Sequence, residues 1–296
     1  MSIKAMLTRP AGVAQYTVGE EIANAVTHGV AALLSIAGLA VLVAFAVLYS
    51  GTPKVVAAVS IFGASMVFLY TASTLYHSIP NPRAKKVLQY LDHSMIYVLI
   101  AGSYTPFCLI TLQGYTGIAL LCAVWLIAIA GISLQAVLLH KADWINCLLY
   151  LSMGWLAVFV IDPLVSTLDS TGLALLVAGG LAYTVGVVFY IFERIPFSHA
   201  IWHTFVFAGT TLQFFSVLFY DSRGECLSAV ISAWQDQDFE GVAKLFDELW
   251  GWELEGSEQE KRDISDLYIA GSALACNRLR VIRENGDIAA YLGSVF

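Results

Sequence analysis

Long apolar runs separated by short polar breaks fill the first three-quarters of the chain, and their spacing predicts seven helices. A membrane-spanning helix takes about 20 mostly apolar residues. Residues 30–49 form the first such run, free of charge and closed by Ser50-Gly51-Thr52-Pro53. Residues 55–76 form the second. It ends at Ile79-Pro80-Asn81-Pro82, because proline lacks the amide donor and restricts the residue before it. No charge occurs between Asp92 and Lys141, too long a stretch for one span, and Gln113-Gly114-Tyr115-Thr116-Gly117 divides it into the third and fourth. The fifth, 144–161, is expected to stop at Asp162-Pro163. The sixth, 172–192, stops at Glu193-Arg194-Ile195-Pro196, and the seventh covers 199–220. Backbone groups in lipid have no water to bond, which leaves helices or a closed barrel. The sequence lacks the roughly ten-residue alternating strands of a barrel. The expected fold class is an all-α membrane protein, a seven-transmembrane-helix bundle with a small α+β C-terminal soluble appendage.

Composition agrees with this pattern. The chain is 58% hydrophobic and 12% charged, where soluble domains run at about 45–50% and 25%. Charge divides it into two units. Residues 1–220 hold eight Lys/Arg and seven Asp/Glu, whereas 221–296 hold seven and fifteen, a net of −8. The expected organisation is a cytoplasmic N-terminal segment at 1–29, a membrane domain at 30–220 and an acidic soluble tail at 221–296. The first apolar run is too long for the core of a cleaved signal and is expected to be retained. No basic patch with interleaved aromatics points to a nucleic-acid partner. Cys108, Cys122 and Cys147 lie in apolar runs as small packing residues. Cys226 and Cys276 lie in the tail without a metal-knuckle spacing.

Seven spans place the two ends on opposite sides. With the N-terminus inside, the cytoplasmic segments carry Lys4, Arg9, Arg83, Lys85, Lys86, Lys141 and Arg194, against Lys54 alone outside. The positive-inside rule therefore predicts a cell-membrane protein with a cytoplasmic N-terminus and an outer tail.

This topology gathers the polar residues. His77 ends span two, Asp92 and His93 begin span three, and His199-x-x-x-His203 begins span seven. Glu21, Asn24 and His28 lead into span one on a single helical face. Five of the six histidines thus come to one membrane leaflet, where ionisable groups are costly and usually functional. His77, His199 and His203 could supply three imidazoles to zinc and leave a fourth position open. Zinc held this way lowers the pKa of bound water to about 7. Asp92 is placed to handle the proton, and Ser73, one turn before His77, to orient a ligand or hold an oxyanion. A fourth ligand from His28 or His93 would instead signal a closed, structural site. Taken singly, an interfacial histidine is ordinarily a wet polar tip, and His93 and His140 are read that way.

Glu21-x-x-Asn24-x-x-x-His28, Ser73-x-x-x-His77 followed by Asp92, and His199-x-x-x-His203, with Gly102-Ser103-Tyr104-Thr105-Pro106 in span three, resemble the haemolysin III branch of the adiponectin/progestin receptor family over about residues 18–220. The resemblance implies seven helices, a cytoplasmic N-terminus, and buried zinc on His77, His199 and His203 with Asp92 and Ser73 beside its water. It also implies kinship with alkaline ceramidases and a membrane lipid as substrate. The alternatives it carries are a non-enzymatic membrane-homeostasis regulator with structural zinc, and a cytolysin.

The tail departs from that family. Residues 236–250 and 263–276 have amphipathic helical patterns, and 278–284 with 288–295 flank Asn285-Gly286 as a β-hairpin. Helix, helix, hairpin resembles the first half of a GNAT acetyltransferase domain. The phosphate-cradling glycine motif that would follow is missing, so acetyl transfer is not expected.

Overall fold

A computed structural model of the chain describes residues 16–50, 52–112, 114–138, 143–192, 194–221, 279–284 and 287–292. Seven helical spans among them are long and apolar enough to cross a membrane. Helix α1 runs Val18–Tyr49 and α2 runs Pro53–Ser78. Helix α3 covers Pro82–Pro106 and continues as a π-helical turn, Phe107–Thr111. Helix α4 is Gly114–Leu138. The fifth span is composite: α5 at Asp143–Gly154, a 3-10 segment at Trp155–Val160, and α6 at Ile161–Thr167. Helix α7, Ser170–Ile191, forms the sixth span, and α8, Ser198–Ser216, with a terminal π-helical turn, the seventh.

Three boundaries differ from the apolar runs, each for a local reason. Helix α3 begins at Pro82, ten residues before Asp92, because the Asn81 side chain caps it by accepting from Arg83 N and Ala84 N. Helix α1 begins twelve residues before its charge-free run, so Glu21, Asn24 and His28 sit on the helix itself. Thr17 and Glu20 form a capping box there: Glu20 N donates to Thr17 Oγ1, and Thr17 N donates to Glu20 Oε2 at 2.9 Å. Asp162-Pro163 does not end the fifth span. Pro163 occupies the third position of α6, where the backbone N–H that it lacks would have had no intrahelical acceptor.

Helices α2 and α3 are the most buried spans and form the middle of the bundle. Phe62, Met66, Leu69 and Tyr70 of α2 pack with Leu99 of α3 in the main core cluster. Outward faces remain apolar, as at Leu33, Leu126, Phe159 and Val165, which suits a hydrocarbon surround. Helices α7 and α8 approach backbone to backbone: a Cβ at Gly209 would lie 3.0 Å from the Gly179 carbonyl oxygen.

The chain divides into two compact units, Met1–Gly224 and Glu225–Phe296. In the second, β1 (Leu279–Glu284) pairs antiparallel with β2 (Asp287–Leu292) in a register that sets Glu284 opposite Asp287. A two-residue connection at 285–286 is the hairpin arrangement that Asn-Gly favours. The expected helices at 236–250 and 263–276, Cys226, Cys276 and His140 lie outside the described residues.

Candidate metal centre

Four helix ends meet at one end of the bundle: the starts of α1, α3 and α8 and the end of α2. Alternating direction puts them together, and two of them, the end of α2 and the start of α8, bring the three grouped histidines. His77 comes from the last turn of α2. His199 and His203 come from the first two turns of α8, one above the other by their spacing of four. One ligand nitrogen from each of the three lies within 4.8 Å of the others. Two nitrogens sharing one zinc at about 2.0–2.1 Å are at most about 4.2 Å apart, so the group is drawn close to the spacing a shared ion requires. His77 and His203 are buried and His199 is half-buried.

The surroundings fit a metal. His77 Nε2 is buried with no hydrogen-bond partner. Its Nδ1–H donates to Glu21 Oε2 at 2.7 Å, and the other Glu21 oxygen pairs with Lys85 Nζ from α3. His203 Nδ1 lies 3.2 Å from Thr27 Oγ1 and 3.3 Å from the Asn24 carbonyl oxygen. His199 Nδ1 lies 3.0 Å from Tyr16 Oη. All three imidazoles thus have Nδ1 occupied by residues of the first helix or its lead-in. Carboxylate- or carbonyl-held imidazoles of this kind are the usual surroundings of a metal-bound histidine.

Asp92 and Ser73 belong to the same buried end. Asp92 is 7% exposed and Ser73 1%, and Ser73 Oγ has no hydrogen-bond partner. His93, His77 and Ser73 all act on the Asp92 carboxyl. Neither candidate fourth ligand joins the three-histidine group. His28 stacks on His203, ring centroids 3.5 Å apart and planes 11° from parallel. His93 donates from Nδ1 to the Gln89 carbonyl at 2.9 Å and sits 3.7 Å from Asp92 Oδ2.

A cavity of about 190 Å³ opens beside the histidines. Asp92, His199 and His203 stand in its wall, and most of the remainder is apolar, including Leu164, Val177 and Val206. The site therefore joins ligand-competent nitrogens and a buried carboxyl to a space suited to hydrocarbon.

The turn before His199 is itself constrained. Phe197 caps α8 with φ 59°, the left-handed region, and its backbone N–H donates to Glu20 Oε1 at 3.3 Å. A bulky residue there carries strain of order 1 kcal/mol, which the Glu20 contact helps to offset. Tyr16, Glu20, Thr27 and Lys85 are contributors that the sequence pattern did not single out. The Thr17-x-x-Glu20 capping box is a signal for the start of α1; nothing local marks Tyr16, Thr27 or Lys85.

Residues 16–214 match the family model described as haemolysin-III related. The chain is 47% identical over 205 residues to the hemolysin-3 homolog of Bacillus subtilis (strain 168), covering 69% of this chain and 96% of that protein. Identity to hemolysin-3 of Bacillus cereus is 48% over 203 residues, 69% of this chain and 92% of the relative. The monocyte to macrophage differentiation factor of Homo sapiens is 30% identical over 167 residues, 54% of this chain and 68% of the relative. No solved structure matches the chain.

Proposed function

This chain belongs to the haemolysin-III-related family of multi-pass membrane proteins, and from that membership we propose that it is a zinc-dependent hydrolase of the amide bond in a membrane lipid. It resides in the cell membrane with its N-terminus cytoplasmic and its tail on the outer side. The observation that carries the reading is the grouping of His77, His199 and His203, with His199, His203 and Asp92 standing in the wall of an apolar cavity.

His77, His199 and His203 would hold the ion. Zinc, when bound, supplies Lewis acidity toward a carbonyl and acidifies water. The chain's own groups do the rest. The cavity takes the acyl chain and keeps bulk water from the amide. Asp92 accepts the proton released as water adds to the carbonyl carbon, then returns it to the nitrogen as the C–N bond breaks. The products are a fatty carboxylate and an amine. Ser73 Oγ, buried and unpartnered, is available to hydrogen-bond the oxygen that becomes negative during the addition.

A structural zinc in a membrane regulator would call for a fourth protein ligand, and among the described residues the grouping stops at three. The cytolysin alternative draws its support from the relatives' printed names alone. Metal analysis of detergent-purified protein tests the zinc reading, with about one zinc per chain expected; folded protein that cannot be loaded would sink it. Ceramide turnover in mixed micelles tests the hydrolase reading. A zinc-loaded protein inert toward lipid amides would leave the regulator.

A further inference from the structure

The three ligand histidines come from α2 and α8, yet their outward nitrogens are all met by residues 16–27. A histidine offers one nitrogen to a metal only when the other carries the proton, and the partner of that other nitrogen decides the tautomer. We infer that the first helix is the tautomer-setting clamp of the metal centre, with Glu21 as its principal positioning residue. The inference rests on the reading that these histidines hold a metal.

For two of the three rings the hydrogen-bond partners favour one answer. Glu21 Oε2 stands 2.7 Å from His77 Nδ1, and the Asn24 amide nitrogen lies farther off at 3.4 Å, so the carboxylate decides the proton's place. A carboxylate can only accept, and the pairing of the other oxygen with Lys85 keeps Glu21 anionic. His77 therefore carries its proton on Nδ1, and its buried, unpartnered Nε2 presents a lone pair. His203 Nδ1 faces the Asn24 carbonyl oxygen, which also only accepts. Its other neighbour, Thr27 Oγ1, lies 2.9 Å from the carbonyl oxygens of both Ala23 and Asn24 and spends its single hydrogen there. Thr27 thus turns a lone pair toward His203, and His203 too is an Nδ1–H tautomer. Tyr16 Oη is a hydroxyl, which can donate or accept, so its contact does not by itself assign the His199 tautomer.

This assigns a purpose to the helix extension ahead of the first apolar run. Glu21, Asn24 and Thr27 recur at helical spacing, which turns one face of the first turns of α1 toward the site, and Tyr16 joins them from just ahead of the Thr17 cap. Lys85 ties that face to α3 through Glu21. The clamp is made of residues that never touch the ion.

The test uses the full chain in detergent, stripped by chelator and titrated with zinc against a fluorescent competitor. Glu21→Ala is expected to weaken zinc binding by about 10–100-fold. Glu21→Gln, whose amide oxygen can still accept from His77 Nδ1, should recover part of that loss. In metal-free protein labelled with 15N-histidine, the His77 resonances, assigned through a His77→Gln variant, should report Nδ1–H in the wild type and Nε2–H or a mixture in Glu21→Ala. A merely structural role for Glu21 would not shift that tautomer. Glu21→Ala protein that binds zinc within twofold of wild type, or keeps His77 as Nδ1–H, overturns the inference while leaving the metal centre standing. Wild-type protein that binds no zinc overturns the metal reading and this inference with it. If Glu21→Ala fails to fold, the Glu21→Gln affinity decides: an amide oxygen accepts more weakly than a carboxylate, so zinc binding within twofold of wild type would overturn the clamp.

Discussion

Two buried polar clusters lie along α2 and α8, and they are built on opposite principles. The deeper one is closed. Tyr70 Oη donates to Thr210 Oγ1 at 2.7 Å, Tyr183 Oη pairs with the same oxygen at 2.6 Å, and Thr210 passes its own hydrogen to the Val206 carbonyl at 2.9 Å. Each of the three hydroxyl protons has an acceptor, and the cluster ties α2, α7 and α8 together. The shallower one, around His77, is open. Half of the buried side-chain atoms without partners among the described residues are found there: His77 Nε2, both nitrogens of His28, Ser73 Oγ and Asn24 Oδ1. An unpaired polar group in a buried site costs about 1–3 kcal/mol, so a cluster that keeps several is organised around something it receives. The difference separates polar residues that satisfy one another between helices from polar residues left with unused hydrogen-bonding atoms.

That contrast can be broken at defined points. The largest expected effect is at the ligands. His77→Ala or His203→Ala should abolish stoichiometric zinc binding in metal analysis while the seven-helix body persists by circular dichroism. Next is Asp92→Ala, expected to retain zinc yet lower lipid-amide turnover by about 10²–10⁴-fold, the range of a lost general acid–base group. An equal loss of zinc in that variant would reassign Asp92 to holding the metal. In the closed cluster, Thr210→Val leaves the Tyr70 and Tyr183 hydroxyls without their acceptor. It should cost about 1–3 kcal/mol in unfolding measurements with zinc affinity unchanged. Tyr183→Phe removes one donor and strands no proton, so a loss of about 1 kcal/mol or less is expected by the same measurement. Thr27→Val is expected to have the smallest effect: His203 keeps the Asn24 carbonyl as acceptor, and zinc affinity should fall by only a few-fold in competition titration.

Much of the body was legible in advance because lipid is a strict solvent. A backbone that cannot bond to water must form helices, and about 20 apolar residues must cross the core, so counting charge-free runs finds the spans. The pairing of β1 with β2 was legible for an equally local reason, the Asn-Gly sequence between two strand-forming runs. Local rules compete at the helix boundaries. Proline ordinarily stops a helix, yet Pro163 lies in the first turn of α6, where it has no intrahelical bond to break. Helix α1 starts ahead of its apolar run, because a charged helical turn capped by Thr17 and Glu20 leaves no hydrophobic signature.

The candidate site divides in the same way. The sequence by itself determined the seven apolar spans, the His199-x-x-x-His203 face, and the placing of His77, Ser73 and Asp92 at a common end, since each follows from helical period and alternating direction. The tertiary structure alone decided which nitrogen of each histidine faces the others, that His28 stacks on His203 and stays outside the three-histidine group, and that Tyr16, Glu21, Asn24 and Thr27 grip the ligands from behind. Those pairings join residues more than fifty positions apart. They depend on how α1, α2 and α8 rotate about their own axes when packed, and a helical period fixes a face without fixing what that face meets.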